Sequence, residues 1–490
     1  MSLPVPPAKI HQSSALQKNG YSVSELEFGV PLDYRQPDGE QISLTVRVIA
    51  GKQDAPGLRP AAEKAVAVYL VGGPGSDNPP TMQTDINNFY LDLGFQLLYM
   101  DYRGTGSSTP IRANQPPLQG CPADKQAGLL SLFRQDNIVR DLEAVRKTLL
   151  GPGRTWTLVG QSYGGWLAFT YLSFYPEGLR EVFLTGAVPP VGVHPDVVYG
   201  HTYQSTIRAC DAFYDRYPAH VASVRTIVQH IVTHGGNAIA MPNGGGATLS
   251  AERFLCLGRT LGTMDGEERA DRELQRCLAD IATKGSLSVA TLRHIDGWLR
   301  FEDRPLYAVL HEPIYGEPGI QAGWSAWRVG RSLDQYWWLP ASGELDRDPD
   351  PMQTPLARAC SGADVQLAQR FRSERIYLSG EHVYPFHYSQ FAALRPLRAV
   401  ADLLAQKADW DPLFDAQRLR ANTVPVAALA YERDMFVDAA LGRQTYHATG
   451  AMRYDESRDL LHTAIKDRPD IVLPWTWSIL HHVGDRAPEA

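Results

Sequence analysis

The sequence predicts an α/β protein: a mostly parallel β-sheet flanked by helices and interrupted by a large, mainly helical insertion. Three observations carry this. Residues 65–71, 95–100 and 155–159 are short runs of strand character, the first apolar throughout and the second apolar apart from Gln96, as expected of strands covered by helices on both faces. Between the second and third runs, Ile138, Leu142, Val145 and Leu149 are spaced by 4, 3 and 4, which places them on one face of a helix. From residue 191 to residue 421 no clean succession of buried strands occurs, and the strand rhythm then resumes at residues 424–430.

Taken in order, residues 23–32 and 41–50 alternate apolar and polar positions, as in Ile42, Leu44, Val46 and Val48. They read as antiparallel strands joined through a turn at residues 36–39. The run 65–71 ends in Gly72-Gly73-Pro74-Gly75, and the run 95–100 ends in Asp101-Tyr102-Arg103-Gly104. The helix over residues 136–150 takes Asp136 as its N-cap and stops at Gly151. A strand then enters Gly160-Gln161-Ser162-Tyr163-Gly164-Gly165, a helix follows to residue 175, and Pro176 ends it. Residues 181–188 form another strand. The order strand, helix, strand, helix, strand argues for α/β layers. The chain therefore divides into a core, first part, at residues 1–190, a helical cap at 191–421, and a core, second part, at 422–490. The cap holds Trp298, Trp324, Trp327, Trp337 and Trp338, and its glycine-rich patch at residues 235–246 reads as a surface loop. A helix over residues 471–480 packs back on the sheet.

Composition narrows the class. A chain of 490 residues with 44% hydrophobic and 21% charged residues is ordinary for a globular protein. Its net charge of -7 is dispersed and offers no basic stripe for a nucleic acid. No apolar run approaches the ~20 residues that span a bilayer, so no membrane partner is expected. Residues 1–17 lack the apolar core of an export signal. Five cysteines, odd in number and without a Cys-x-x-Cys pair, read as small buried hydrophobes in a reducing, cytoplasmic setting.

The chemistry centres on Ser162. A serine on a tight strand-to-helix turn needs small neighbours two before and two after, here Gly160 and Gly164, and Gly165 lets the helix approach the strand. The following helix directs its positive end at the serine. A hydroxyl becomes nucleophilic only when a base takes its proton, usually a histidine oriented by a carboxylate. In the α/β-hydrolase fold these follow the serine in the order acid, then histidine. Asp434 lies just past the resumed strand and is the favoured acid, with Glu432 and Asp438 as rivals. The order rule leaves His447, His462, His481 and His482 as bases. His462 is favoured, because a helix at residues 439–448 and a strand at 450–454 fit between it and Asp434. The oxyanion needs two backbone N–H donors. Tyr163, next after the serine, supplies one, and Gly73 of the glycine-rich loop supplies the other. Asp101 and Arg103 read as an ion pair bracing the loops.

Gly72-Gly-Pro-Gly75, Asp101-x-Arg-Gly-x-Gly-x-Ser108, Gly160-Gln-Ser-Tyr-Gly-Gly165 and Tyr431-x-x-Asp-Met-Phe-Val437 together resemble the proline iminopeptidases, or prolyl aminopeptidases, serine peptidases of the α/β-hydrolase fold. The helix Ile138-Val-Arg-Asp-Leu-Glu-Ala-Val-Arg146 is similar to theirs. Two positions depart: Val71 stands where shorter relatives usually carry histidine, and Leu461-His462-Thr stands where many have His-Asp-Gly. The resemblance implies release of an N-terminal proline from small peptides, with no metal or cofactor. It also implies a carboxylate in the cap to detect the free amine, a group that water cannot replace without loss of discrimination. Glu312 in Leu310-His311-Glu312-Pro313 and Glu381 in Ser379-Gly380-Glu381-His382 resemble the acidic motifs of that family. Each also has a plain reading as a solvated glutamate. The alternative activity is that of a carboxylesterase or other acyl hydrolase with the same triad.

Overall fold

The structure is a computed structural model and describes residues 3–18, 20–51, 64–80, 83–341 and 350–482. The extreme ends of the sequence-based division, residues 1–2 and 483–490, lie outside the described residues.

Nine strands form one sheet: β1 (Lys9–Lys18), β2 (Tyr21–Pro31), β3 (Gln41–Gly51), β4 (Val66–Leu70), β5 (Gln96–Met100), β6 (Trp156–Gln161), β7 (Leu179–Thr185) and, after the insertion, β10 (Val426–Tyr431) and β11 (Met452–Ser457). Their order is β1-β2-β3-β5-β4-β6-β7-β10-β11. β1, β2, β3 and β5 pair antiparallel. From β5 across to β11 every pairing is parallel. Every residue of β4, β5, β6 and β10 is buried, which explains their mostly apolar character: helices cover both faces. The parallel strands all present their C-terminal ends to one edge, where ligand-facing groups of such sheets lie.

Several elements differ from the sequence reading. β1 was not expected. Its sequence, Lys-Ile-His-Gln-Ser-Ser-Ala-Leu-Gln-Lys, is mostly polar because it is an edge strand bonded only to β2. The long helix runs Gln135–Leu150 with Arg134, not Asp136, at its N-cap position. Asp136 lies inside the first turn and pairs with Arg134 (3.1 Å) and Arg140 (3.1 Å), where its charge still suits the helix dipole. The glycine-rich patch is not simply a loop. It connects a two-stranded ribbon, β8 (Ile239–Ala240) and β9 (Thr248–Leu249).

Asp101 and Arg103 do not pair with each other. Asp101 binds Arg47 (2.9 Å) and accepts from the Asn78 N–H (2.8 Å) and the Ser107 N–H (2.9 Å). Arg103 forms a two-pronged contact with Asp141 (2.7 and 2.6 Å) and donates to the Leu32, Leu132 and Pro31 carbonyls. Just past the end of β5, the two side chains find separate partners. Their bracing role stands; the mutual pair does not.

Between β7 and β10 the regular elements of the described residues are helices apart from the small ribbon, beginning with the helix Pro195–Arg216. Much of it packs on a second apolar core, including Tyr203, Phe213, Ile227, Phe254 and Trp338. The segments around Leu306, Tyr388, Leu404 and Trp410 instead join the core of the sheet. Arg134 fastens these parts together. It donates to the Gly316 carbonyl (2.6 Å) and the Asp411 carbonyl (2.8 Å), and its guanidinium lies 4.5 Å from the centre of the Trp410 ring. Among the described residues, no helix is long and apolar enough to cross a membrane.

Candidate active site

Ser162 stands between β6 and the helix Tyr163–Phe174 with φ 54° and ψ -123°. A non-glycine residue at positive φ is strained, and the surroundings must hold it there. They do so by contact too close for side chains. A Cβ on Gly164 would fall 2.2 Å from the Leu70 carbonyl oxygen, and one on Gly165 would fall 1.5 Å from the Ala187 carbonyl oxygen. A Cβ on Gly160 would meet Gly164 at 2.9 Å. The turn thus pushes the serine out at the strand end. The loop after β4 lies directly against it: a Cβ on Gly72 would come 3.0 Å from the Ser162 Cβ. Gly73, the expected donor, is the next residue of that loop. Tyr163 opens the helix, its ring buried against Tyr102 with centroids 6.5 Å apart.

Asp434 lies past the end of β10, buried, and its two oxygens have separate tasks. Oδ1 accepts from the Phe436 N–H (2.8 Å) and the Val437 N–H (3.0 Å), while Oδ2 is 2.8 Å from His462 Nδ1. The rivals are occupied elsewhere. Glu432 is half-exposed and pairs with Arg458 (3.2 Å). Asp438 caps the helix Ala439–His447 by accepting from the Leu441 N–H (2.9 Å) and contacts His201. His462 follows β11, is buried, and makes a T-shaped contact with the Phe436 ring, centroids 4.7 Å apart. His447 is exposed at the end of its helix, and His481 pairs with Glu181 (2.7 Å). Ser162, Asp434 and His462 follow β6, β10 and β11, so one edge of the parallel sheet carries all three.

The two cap glutamates occupy different environments. Glu381 meets the Arg259 guanidinium (2.9 Å) and the Tyr307 hydroxyl, with His311 Nε2 at 3.9 Å. Burial alone would raise its carboxyl, but Arg259 and then His311 reverse this and hold it below the usual carboxylate range, with His462 adding to the effect. Arg259 also faces the Phe436 ring at 5.8 Å, so the cap glutamate and the His462–Asp434 pair are neighbours. Glu312 is more deeply buried; it accepts from the Ala326 N–H (3.0 Å), and burial pushes its carboxyl up to about 7. Tyr199 connects the two glutamate segments, with its hydroxyl 3.1 Å from His311 and its ring 5.9 Å from that of His382. Neither glutamate is a freely solvated surface group. Sequence reasoning missed Arg259, Tyr307, His311 and Phe436. Only His311 and Phe436 lay in motifs singled out, and nothing local marks Arg259 as a partner of a residue 122 positions away.

Glu312 yields a stability prediction. Its carboxyl holds its proton to about pH 7 in the folded chain, against an ordinary 4.5 unfolded. The folded state binds the proton more tightly, so a destabilising contribution grows as pH rises through that window and reaches up to ~3 kcal/mol above it. The Tm of Glu312→Gln, compared with that of the native protein from pH 4.5 to 7.5, should fall less steeply as pH rises. Parallel curves would show that Glu312 ionises normally.

The comparisons agree with this fold. A family described as having the alpha/beta hydrolase fold matches residues 68–231. A proline iminopeptidase of Aeromonas sobria is 34% identical over 443 residues, 90% of this chain and 92% of that protein. The chain belongs to the proline iminopeptidase family. A second family member, from Aspergillus aculeatus, is 30% identical over 92% of both chains. A tripeptidyl aminopeptidase of Streptomyces lividans is 27% identical over 192 residues, 33% of this chain and 34% of that protein. The family alignments therefore run through cap and core alike, whereas the other aminopeptidase shares only part of the chain. Among the described residues, no group of three or more His, Cys, Asp or Glu side chains gathers as for a metal.

Proposed function

We propose that this protein is a serine aminopeptidase that releases N-terminal proline from small peptides. The Ser162 hydroxyl attacks the carbonyl carbon of the proline residue, and His462 Nε2 accepts the hydroxyl proton. Asp434, bonded to Nδ1, keeps the imidazole in the required tautomer and stabilises its charged form. The N–H groups of Gly73 and Tyr163 donate to the oxyanion. Collapse of the tetrahedral species breaks the C–N bond, and His462 returns the proton to the departing amine. Water, deprotonated by His462, then hydrolyses the prolyl ester of Ser162 and frees both proline and serine. The cap, residues 191–421, supplies Glu312 and Glu381 to bind the substrate's ammonium group. We place the enzyme in the cytoplasm, where five free cysteines are at home.

The observation that carries this reading is Glu381, ionised and in reach of the His462–Asp434 pair, in a chain similar along its length to proline iminopeptidases. A panel of aminoacyl anilides and short acyl esters tests the activity, and prolyl anilide should lead it. Glu381→Gln should lose roughly 2–4 kcal/mol of transition-state stabilisation on prolyl anilide and far less on an N-blocked ester. Equal losses on both would remove Glu381 from amine recognition.

A further inference from the structure

We propose that a cationic cleft at the end of the Gly72–Gly75 loop receives a carboxylate carried by the departing portion of the peptide. This rests on the aminopeptidase reading above. The cleft encloses about 210 Å³, and its lining includes Gly75, Arg112, Arg300, Arg304 and Leu306. It shares walls with the candidate active site. Gly75 belongs to the loop whose Gly72 lies against Ser162, and a Cβ on Gly75 would fall 2.6 Å from the Tyr307 nitrogen. Tyr307, adjacent to Leu306, carries the hydroxyl that binds Glu381. Gly73 and Gly75 are two residues apart, so their Cα atoms are separated by at most ~7 Å. An extended peptide advances about 3.5 Å per residue. A carboxylate two or three residues beyond the scissile bond therefore reaches the cleft.

The charges there are unevenly matched. Arg304 is tied to Asp77 (2.5 Å) and to the Ser76 hydroxyl (3.2 Å). Arg300 is 3.6 Å from Asp303, with both side chains exposed. Arg112 is exposed, and among the described residues its guanidinium has no side-chain partner. Three guanidiniums thus line the cleft against the two carboxylates of Asp77 and Asp303, in a chain whose net charge is -7. Arg300 also sits at φ 53°, a conformation unfavourable for a non-glycine residue that collects at functional positions. A guanidinium fork matches a carboxylate through two parallel hydrogen bonds. The occupant is either the terminal carboxylate of a short peptide or an acidic side chain at the same distance.

The test compares kcat/KM for Pro-Gly-Gly and Pro-Gly-Gly-Gly as free acids with the same peptides amidated, and with Pro-Gly-Asp-amide. Each is measured on the native enzyme and on Arg112→Gln/Arg300→Gln, with prolyl 4-nitroanilide turnover reporting the amount of active enzyme. The native enzyme should prefer a free acid over its amide by about two- to fivefold, the scale of exposed ion pairs, and the double variant should bring that ratio close to one. Recovery of the preference by Pro-Gly-Asp-amide would identify a side-chain carboxylate as an occupant; no recovery would identify the terminal one. A ratio near one in the native enzyme at both lengths, or a ratio unchanged in the variant, overturns the proposal. Failure of the aminopeptidase reading looks different, because prolyl 4-nitroanilide and all the peptides would then go uncleaved.

Discussion

Ser162→Ala is expected to lower kcat on prolyl anilide by ~10⁶-fold, the scale seen when a nucleophile acting with its base is removed. No other group replaces the hydroxyl, so the residual rate reflects only binding and the oxyanion donors. The variant should fold normally. The Ser162 side chain makes no capping hydrogen bond to its helix, and alanine keeps the Cβ that the turn already accommodates. Circular dichroism and Tm check the fold, initial rates check the activity, and a fluorophosphonate probe should label the native enzyme and leave the variant unlabelled. A variant that retains more than a hundredth of native turnover would place the nucleophile elsewhere.

Asp434→Asn carries the second largest effect, a loss of ~10⁴-fold in kcat. The surroundings make this substitution worse than a simple loss of charge. The Phe436 and Val437 N–H groups both donate to Oδ1, so the asparagine carbonyl must face them. Its NH₂ group then faces His462 Nδ1, where Oδ2 stood. A donor there forces the imidazole proton onto Nε2, the nitrogen that has to accept the serine proton. The tautomer is wrong by construction. Rates of Asp434→Asn within tenfold of native, with Tm unchanged, would remove Asp434 from the mechanism. Glu432→Gln is the matched control and should change little, since its pair with Arg458 is largely exposed.

The parts of the molecule legible in the sequence were those governed by local rules. Buried parallel strands are apolar on both faces, so β4, β5 and β10 stood out from their composition. The turn at Ser162 was marked by glycines that tolerate no side chain, and Asp434 by its place beyond a strand end. The edge strand β1 was not legible because exposure leaves no apolar pattern to read. Charged partners were the larger gap. Asp101 and Arg103 are neighbours in sequence, yet their contacts are Arg47 and Asp141, 54 and 38 positions away. For the same reason Glu381 was recognised and its guanidinium partner Arg259 was not. The division at residues 191 and 421 describes the order of elements, but Leu306, Tyr388 and Trp410 belong to the sheet's own core, because burial follows proximity in space.

The hold that Arg134 exerts bears on how a peptide gets in. One side chain, rooted beside the helix Gln135–Leu150, grips carbonyls at residues 316 and 411 and presses against an indole. To lift the roof at that corner, the molecule would have to release all three contacts together and expose a buried cation. That corner is therefore costly to open, and any movement of the helical insertion would be cheaper where no such set of contacts holds it.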